Sequence, residues 1–119
     1  MIEYKFKNAD EAFNFYYGII PYEGEKFDNT MTMFNQGFTI ENPADRMITN
    51  EARNFNVEYA EAEWQWYLSG NRSTAKLGEL YGKIPKIWQD MSDGNGNVNS
   101  NYGYQWERGW QLDKVVAML

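Results

Sequence analysis

The sequence predicts an α+β protein, because it contains both segments of strand periodicity and segments of helical periodicity. Its 119 residues are expected to form a single domain over residues 1–119. The hydrophobic fraction of 43% is large enough for such a domain to bury a core.

Strands and a helix are predicted in the N-terminal part. Ile2, Tyr4 and Phe6 alternate with polar residues, which predicts a strand with one buried face. Asn8 precedes a helical pattern as an N-cap, with Glu11 as in a capping box. The helix is expected to end at Pro21 and Gly24, and two further strands are predicted at residues 30–34 and 38–40.

The clearest helix covers residues 57–69, with Gly70 as its C′ residue. Its predicted buried stripe consists of Val57, Ala60, Trp64, Tyr67 and Leu68. Glu63 lies on this stripe. A buried carboxylate costs several kcal/mol unless it is paired, hydrated or protonated, so this position points to a function. The alternative is a glutamate at the stripe edge that reaches solvent or pairs with Arg53 or Arg72.

The remaining chain is predicted to contain helices at residues 74–81 and 111–119, separated by a Gly- and Asn-rich loop at residues 92–101. Large aromatic residues lie on both sides of this loop. They are expected either to enclose a flat ligand or to be core residues at the base of a surface loop.

Composition excludes several function classes. The net charge of −6 argues against a nucleic-acid polymer as partner. The chain has no cysteine and no histidine, which excludes disulfides, zinc sites and imidazole bases within it. Neither a membrane span nor a signal peptide is recognisable, so a cytoplasmic protein without membrane contact is expected.

No metal site is expected. Asp93, Asn95 and Asn97 have the spacing of the first ligands in an EF-hand loop, which makes calcium the alternative. However, Val98 and Tyr104 occupy the positions that need glycine and glutamate.

Three segments resemble the thymidylate synthase superfamily. Residues 62–70, AEWQWYLSG, resemble the family helix x-E-L-L-W-F-L-x-G. Residues 85–89, PKIWQ, and residues 99–103, NSNYG, resemble the corresponding segments of bacteriophage deoxycytidylate hydroxymethylases. The resemblance covers roughly residues 26–119 and is strongest over residues 63–106.

The resemblance implies a fold with helices packed on a mixed β-sheet, and a homodimer. It also implies transfer of a one-carbon unit from 5,10-methylenetetrahydrofolate to carbon-5 of dCMP or dUMP. Glu63 would organise water and protons, and Tyr102 would assist deprotonation at carbon-5. Ile87 and Trp88 would contact the folate co-substrate. Lys26 and Asn101 would contact the nucleotide, Lys26 through its phosphate.

Two departures from the family pattern affect the expected activity. Met91 replaces a second family tryptophan, which weakens the case for folate stacking. The family's nucleophilic cysteine lies downstream of the position matching Leu119, so these 119 residues alone are expected to be inactive. We expect an excised N-terminal part, one piece of a split enzyme completed by a C-terminal part, or a remnant.

Two other functions are compatible with the residues. A non-catalytic module could bind nucleotide or carbohydrate through its aromatic rings and amides, with Glu63 exposed. A glycosidase could use Glu63 and Asp90 as its two carboxylates. A Glu63 buried in one cavity with Trp88 and Tyr102 would favour the one-carbon transferase instead.

Overall fold

The structure is a computed structural model that describes residues 3–119. Ile2, the first residue of the first predicted strand, lies outside the described residues. The chain divides into two compact units, Met1–Phe55 and Asn56–Leu119. Within residues 3–119, none of the helices has the length and apolar character required to cross a membrane.

The first unit contains strands and one long helix. Its elements are β1 (Tyr4–Phe6), α1 (Ala9–Glu23), β2 (Glu25–Phe27), β3 (Thr30–Thr32), β4 (Phe38–Ile40) and a 3-10 helix at Glu51–Arg53. β1 pairs with β4 in parallel, and β2 pairs with β3 in antiparallel orientation. In place of the expected mixed sheet, the described residues thus form two separate strand pairs. β2 was not predicted, because its sequence Glu-Lys-Phe contains a single apolar residue and all three residues are exposed.

The N-terminus of α1 confirms the predicted cap, since Asn8 Oδ1 accepts the Glu11 N–H at 2.9 Å. The predicted end at Gly24 is confirmed, since Gly24 is the C-cap, but Pro21 does not end the helix, which continues through it to Glu23. A proline there removes one hydrogen bond of the last turn. The Gly24 N–H still bonds to the Ile20 carbonyl at 2.9 Å, and the helix ends there.

The second unit is helical. Its elements are α2 (Val57–Leu68), α3 (Thr74–Tyr81), α4 (Lys86–Met91), α5 (Tyr102–Glu107), a 3-10 helix at Arg108–Trp110 and α6 (Gln111–Met118). α2, α3 and α6 confirm the predicted helices, and Gly70 at φ 66° confirms the predicted C′ residue. α4 and α5 were not predicted, because six residues complete too few turns to show a periodic pattern.

The core of the second unit corrects the predicted face of α2. Its buried residues are Ala62, Trp66, Leu77 and Val98. Val57, Trp64 and Leu68 of the predicted stripe are about half exposed. The helix carries large apolar residues on both faces, so hydrophobic spacing alone fits either of them. The face that is buried contains Trp66, whose indole N–H donates a hydrogen bond to the Ser73 carbonyl oxygen at 3.0 Å.

α2 and α5 approach each other very closely at Gly103. A Cβ at this position would lie 1.6 Å from the Tyr67 carbonyl oxygen. Only glycine permits this approach, because any side chain would overlap the backbone of α2. The glycine of the N-Y-G segment therefore has a packing role that positions α5 against α2.

Candidate functional site

Glu63 lies in a half-buried cluster on α2, between Tyr59 and Tyr67. The Tyr59 hydroxyl donates a hydrogen bond to Glu63 Oε2. The Trp88 Nε1–H donates to the Tyr59 hydroxyl oxygen at 2.6 Å. The structure thus connects two of the predicted site residues, Glu63 and Trp88, through a tyrosine that was not among them.

The tyrosines around Glu63 are held in their neutral form. Burial raises the pKa of Tyr59 to about 12, with a further contribution from its hydrogen bond to Glu63. Burial also raises the pKa of Tyr67 well above its ordinary value, and the negative charge of Glu63 adds to this rise. Both hydroxyls therefore remain donors at neutral pH, and they face an acceptor carboxylate.

The predicted alternative of an ion pair with Arg72 is not observed among the described residues, and a pair with Arg53, which belongs to the first unit, stays a prediction. The ion pairs within residues 3–119 join Lys76 to Glu79 and Lys86 to Asp90. The Arg72 guanidinium instead donates to Asn99 Oδ1 at 2.8 Å and lies 4.6 Å from the centre of the Tyr104 ring. Glu63 is thus satisfied by a neutral tyrosine and not by a cation.

Trp88 and Ile87 follow each other on α4 but have different environments. The Trp88 ring is half-buried and packs edge-on against Trp66, with 5.3 Å between the ring centroids. The Ile87 side chain is 63% exposed. Trp88 is therefore fixed by its neighbours, whereas Ile87 is free to contact a ligand or another surface.

Tyr102 lies on a partly exposed aromatic face formed with Trp64, Tyr67 and Trp106. Its ring is 61% exposed and lies 5.4 Å from the Tyr67 ring, edge-on. Its plane is within 12° of the Trp106 plane. Tyr102 therefore reaches the Glu63 cluster through Tyr67, and the predicted direct grouping of Glu63, Trp88 and Tyr102 in one cavity stays a prediction.

Asn101 is the most deeply buried of the predicted site residues, at 2% exposure. Its Oδ1 accepts the Tyr104 N–H at 2.9 Å and so caps α5. Its Nδ2 is buried without a hydrogen-bond partner among the described residues. An unpaired buried donor is costly and fits a site that an acceptor group of a ligand or a water completes.

Lys26, the predicted phosphate contact, belongs to the first unit. It lies on β2 opposite Met31 and is exposed. Its contact with a phosphate stays a prediction.

The carboxylate of Asp93 is used within its own loop. It accepts the backbone N–H groups of Asn95 and Asn97 at 2.9 and 3.0 Å, and Asn99 Nδ2 at 3.2 Å. The two backbone hydrogen bonds hold the pKa of Asp93 below its usual range. This arrangement is a loop-stabilising turn, and no group of three or more acidic, Cys or His residues suited to a metal occurs in residues 3–119.

Asp90, the second carboxylate of the glycosidase alternative, lies on the exposed side of α4. Lys86 Nζ pairs with it at 2.6 Å. No described contact joins Asp90 to the Glu63 cluster, so the structure gives this alternative no support.

Tyr59 is a site residue that was not predicted from the sequence. The available signal was its spacing, because residues four apart lie next to each other on one helix face. Its role as a link to Trp88 could not be found from sequence, since the two residues are 29 positions apart.

Comparison with known proteins gives a partial similarity. The chain is 39% identical over 49 residues to the deoxycytidylate 5-hydroxymethyltransferases of Enterobacteria phages T4, T2 and T6. The match covers 41% of this chain and 19% of each phage protein, so the chain spans about a fifth of the length of these curated relatives. No family model and no solved structure matches the chain. The similarity supports a partial relation to phage deoxycytidylate 5-hydroxymethyltransferases.

Proposed function

We propose that this chain contributes the proton- and water-handling part of a pyrimidine-nucleotide transferase site. The observation that carries the proposal is the hydrogen-bonded series of Trp88, Tyr59 and Glu63, which joins an indole ring to a half-buried carboxylate. The partial similarity to phage deoxycytidylate 5-hydroxymethyltransferases supports the choice of substrate class. The reaction proposed is transfer of a one-carbon unit from 5,10-methylenetetrahydrofolate to carbon-5 of dCMP or dUMP.

The five predicted site residues of the second unit each have a role in this proposal. A carboxylate has two oxygens, so Glu63 can accept from Tyr59 and still hold a water against the pyrimidine. Trp88 and Ile87 line the side facing the folate, and the exposed Tyr102 hydroxyl assists removal of the carbon-5 proton. Asn101 is placed on the nucleotide side by the resemblance alone, since its Nδ2 has no partner among the described residues but is also buried.

The nucleophile comes from outside this sequence in the proposal, since the 119 residues contain no cysteine. The reaction begins with addition of a thiolate to carbon-6, which makes carbon-5 nucleophilic toward the methylene carbon. The 119-residue chain by itself is therefore expected to give no turnover. A cysteine-bearing C-terminal part is the partner proposed to supply this thiolate. A second copy of the chain, which also contains no cysteine, is proposed only as a dimer partner.

The test uses the complete polypeptide encoded by the gene and measures tritium release from carbon-5-labelled dCMP and dUMP with methylenetetrahydrofolate. We expect Glu63→Gln to lower the release rate by about 10²- to 10⁴-fold, the range for loss of a proton-transfer group. Asp90→Asn is the matched control, since it neutralises an exposed carboxylate, and it should leave the rate within about twofold. A Glu63→Gln enzyme with the wild-type rate would exclude this role for Glu63.

A second candidate is a non-catalytic binding module. The near-parallel, exposed rings of Tyr102 and Trp106 favour it, because such rings can stack on a sugar or a base. The half-buried Glu63 disfavours it, since this alternative predicts an exposed carboxylate. Titrating the 119-residue chain with neutral oligosaccharides tests the carbohydrate form of this alternative, because a carbohydrate module would bind the oligosaccharide and lose affinity in Trp106→Ala.

A further inference from the structure

The direction of the hydrogen bonds around Tyr59 is fixed by chemistry. An indole N–H can only donate, so the Tyr59 oxygen must accept from Trp88. The single Tyr59 proton is then free to point at the acceptor carboxylate of Glu63. The series therefore runs one way, from Trp88 through Tyr59 to Glu63.

The Tyr59 ring is also held on its other side. Tyr81 of α3 packs edge-on against it, with 5.3 Å between centroids. The Tyr81 hydroxyl accepts from Asn56 Nδ2 at 3.0 Å, which ties that ring to the start of α2. Three helices thus determine where the Tyr59 hydroxyl lies, and it lies between a residue of its own helix and a residue of α4.

We propose that Tyr59 is a positioning residue that holds the Glu63 carboxylate and the Trp88 ring in one arrangement and couples the charge of Glu63 to the Trp88 indole. Hydrogen bonds in series polarise one another, so a charged acceptor at Glu63 strengthens the bond from Trp88 to Tyr59. The importance of this coupling for catalysis rests on the proposed function. The coupling itself is a property of the 119-residue chain.

The experiment is a nuclear magnetic resonance measurement of the tryptophan indole N–H signals in the ¹⁵N-labelled chain. Trp88→Phe identifies the Trp88 signal by its loss. We expect Glu63→Gln, which removes the charge, to move the Trp88 signal. In a Tyr59→Phe background the same Glu63→Gln change should no longer move it.

Two controls belong to the same cluster. The Trp66 indole donates to the backbone carbonyl of Ser73 and not to Tyr59, so it should keep its signal in Glu63→Gln. Tyr81→Phe removes a neighbouring hydroxyl but leaves the series intact, so the Trp88 signal should still respond to Glu63→Gln. The proposal is overturned if Glu63→Gln moves the Trp88 signal equally with and without the Tyr59 hydroxyl, or in neither case.

A kinetic measurement in the complete enzyme tests the catalytic consequence. Tyr59→Phe should lower kcat by on the order of 10- to 100-fold, as expected for a misplaced catalytic group, with KM for the nucleotide changed far less. If Tyr59→Phe lowers kcat only as far as its lower folding stability explains, and KM changes as much as kcat, a positioning role is contradicted. Because the magnetic resonance result requires no nucleotide, failure of the proposed function and failure of the coupling are separately visible.

Discussion

The close approach of α5 to α2 at Gly103 gives a prediction that can be worked out from the structure. Gly103→Ala would place a Cβ 1.6 Å from the Tyr67 carbonyl oxygen and 2.4 Å from its carbonyl carbon, where ordinary contacts begin near 3.4 Å. Both atoms belong to the backbone of α2 and cannot rotate away. α2 and α5 must therefore separate.

The expected cost follows from the two effects of the added methyl group. Overpacking costs typically 1–3 kcal/mol, occasionally more, and contact with backbone favours the upper end, about 3 kcal/mol. Alanine offsets about 1 kcal/mol of this through its higher helix propensity. The net loss in the free energy of unfolding is about 2 kcal/mol, which lowers Tm by roughly 10 °C for a unit of this size.

Urea unfolding followed by tryptophan fluorescence measures this loss, since the second unit contains all the tryptophans. Gly94→Ala is the control in the same unit, because a Cβ there meets no atom within 4 Å. If Gly103→Ala is no more destabilising than Gly94→Ala, the close packing of α5 on α2 is wrong.

Two further predictions concern the core residue Trp66 and the Glu63 cluster. Trp66→Ala should lower the free energy of unfolding by about 3–5 kcal/mol, because this side chain is 0% exposed. Trp64→Ala should lower it by less than about 1 kcal/mol, because this side chain is 49% exposed. Equal losses in urea unfolding would mean that the predicted stripe, and not the Trp66 face, is the buried face of α2. Because the folded-state pKa of Tyr59 is raised to about 12, the folded chain holds its proton more tightly than the unfolded chain between pH 10 and 12. The free energy of unfolding should therefore fall as pH rises through this range, and it should fall less steeply in Tyr59→Phe; identical slopes would refute the assignment.

The elements that could be predicted from the sequence are those whose ends are determined by residues close to them in the chain. The cap at Asn8, the C′ glycine at Gly70 and the helix at residues 74–81 each depend on a few neighbouring residues, and the structure contains all three. α4 and α5 escaped prediction for the opposite reason. They are short, and Asn101 caps α5 from within a loop whose Gly and Asn content predicts no helix.

The face of α2 shows where hydrophobic spacing fails. Trp64 and Trp66 are two residues apart, so they point to different sides of the helix. Both are large and apolar, and only the partners on α3 and in the following loop decide which one is buried. Glu63 was singled out as a stripe residue, yet it is half-buried beside the true core face because of Tyr59 and Tyr67.

The segments that resemble the thymidylate synthase superfamily differ in whether packing alone explains their residues. Gly103 is required by the approach of two helices, and Asn101 caps α5, so the N-Y-G segment has structural reasons that need no catalytic role. Glu63 differs from these residues, because its half-buried carboxylate accepts a hydrogen bond from Tyr59 yet has no cation beside it among the described residues, so the cost of desolvating its charge is only partly offset. Leucine or methionine in its place would pack against Tyr59 and Tyr67 without desolvating a charge. Glu63 is therefore the residue whose presence argues most directly for chemistry, and its substitution is the one on which the proposed function depends.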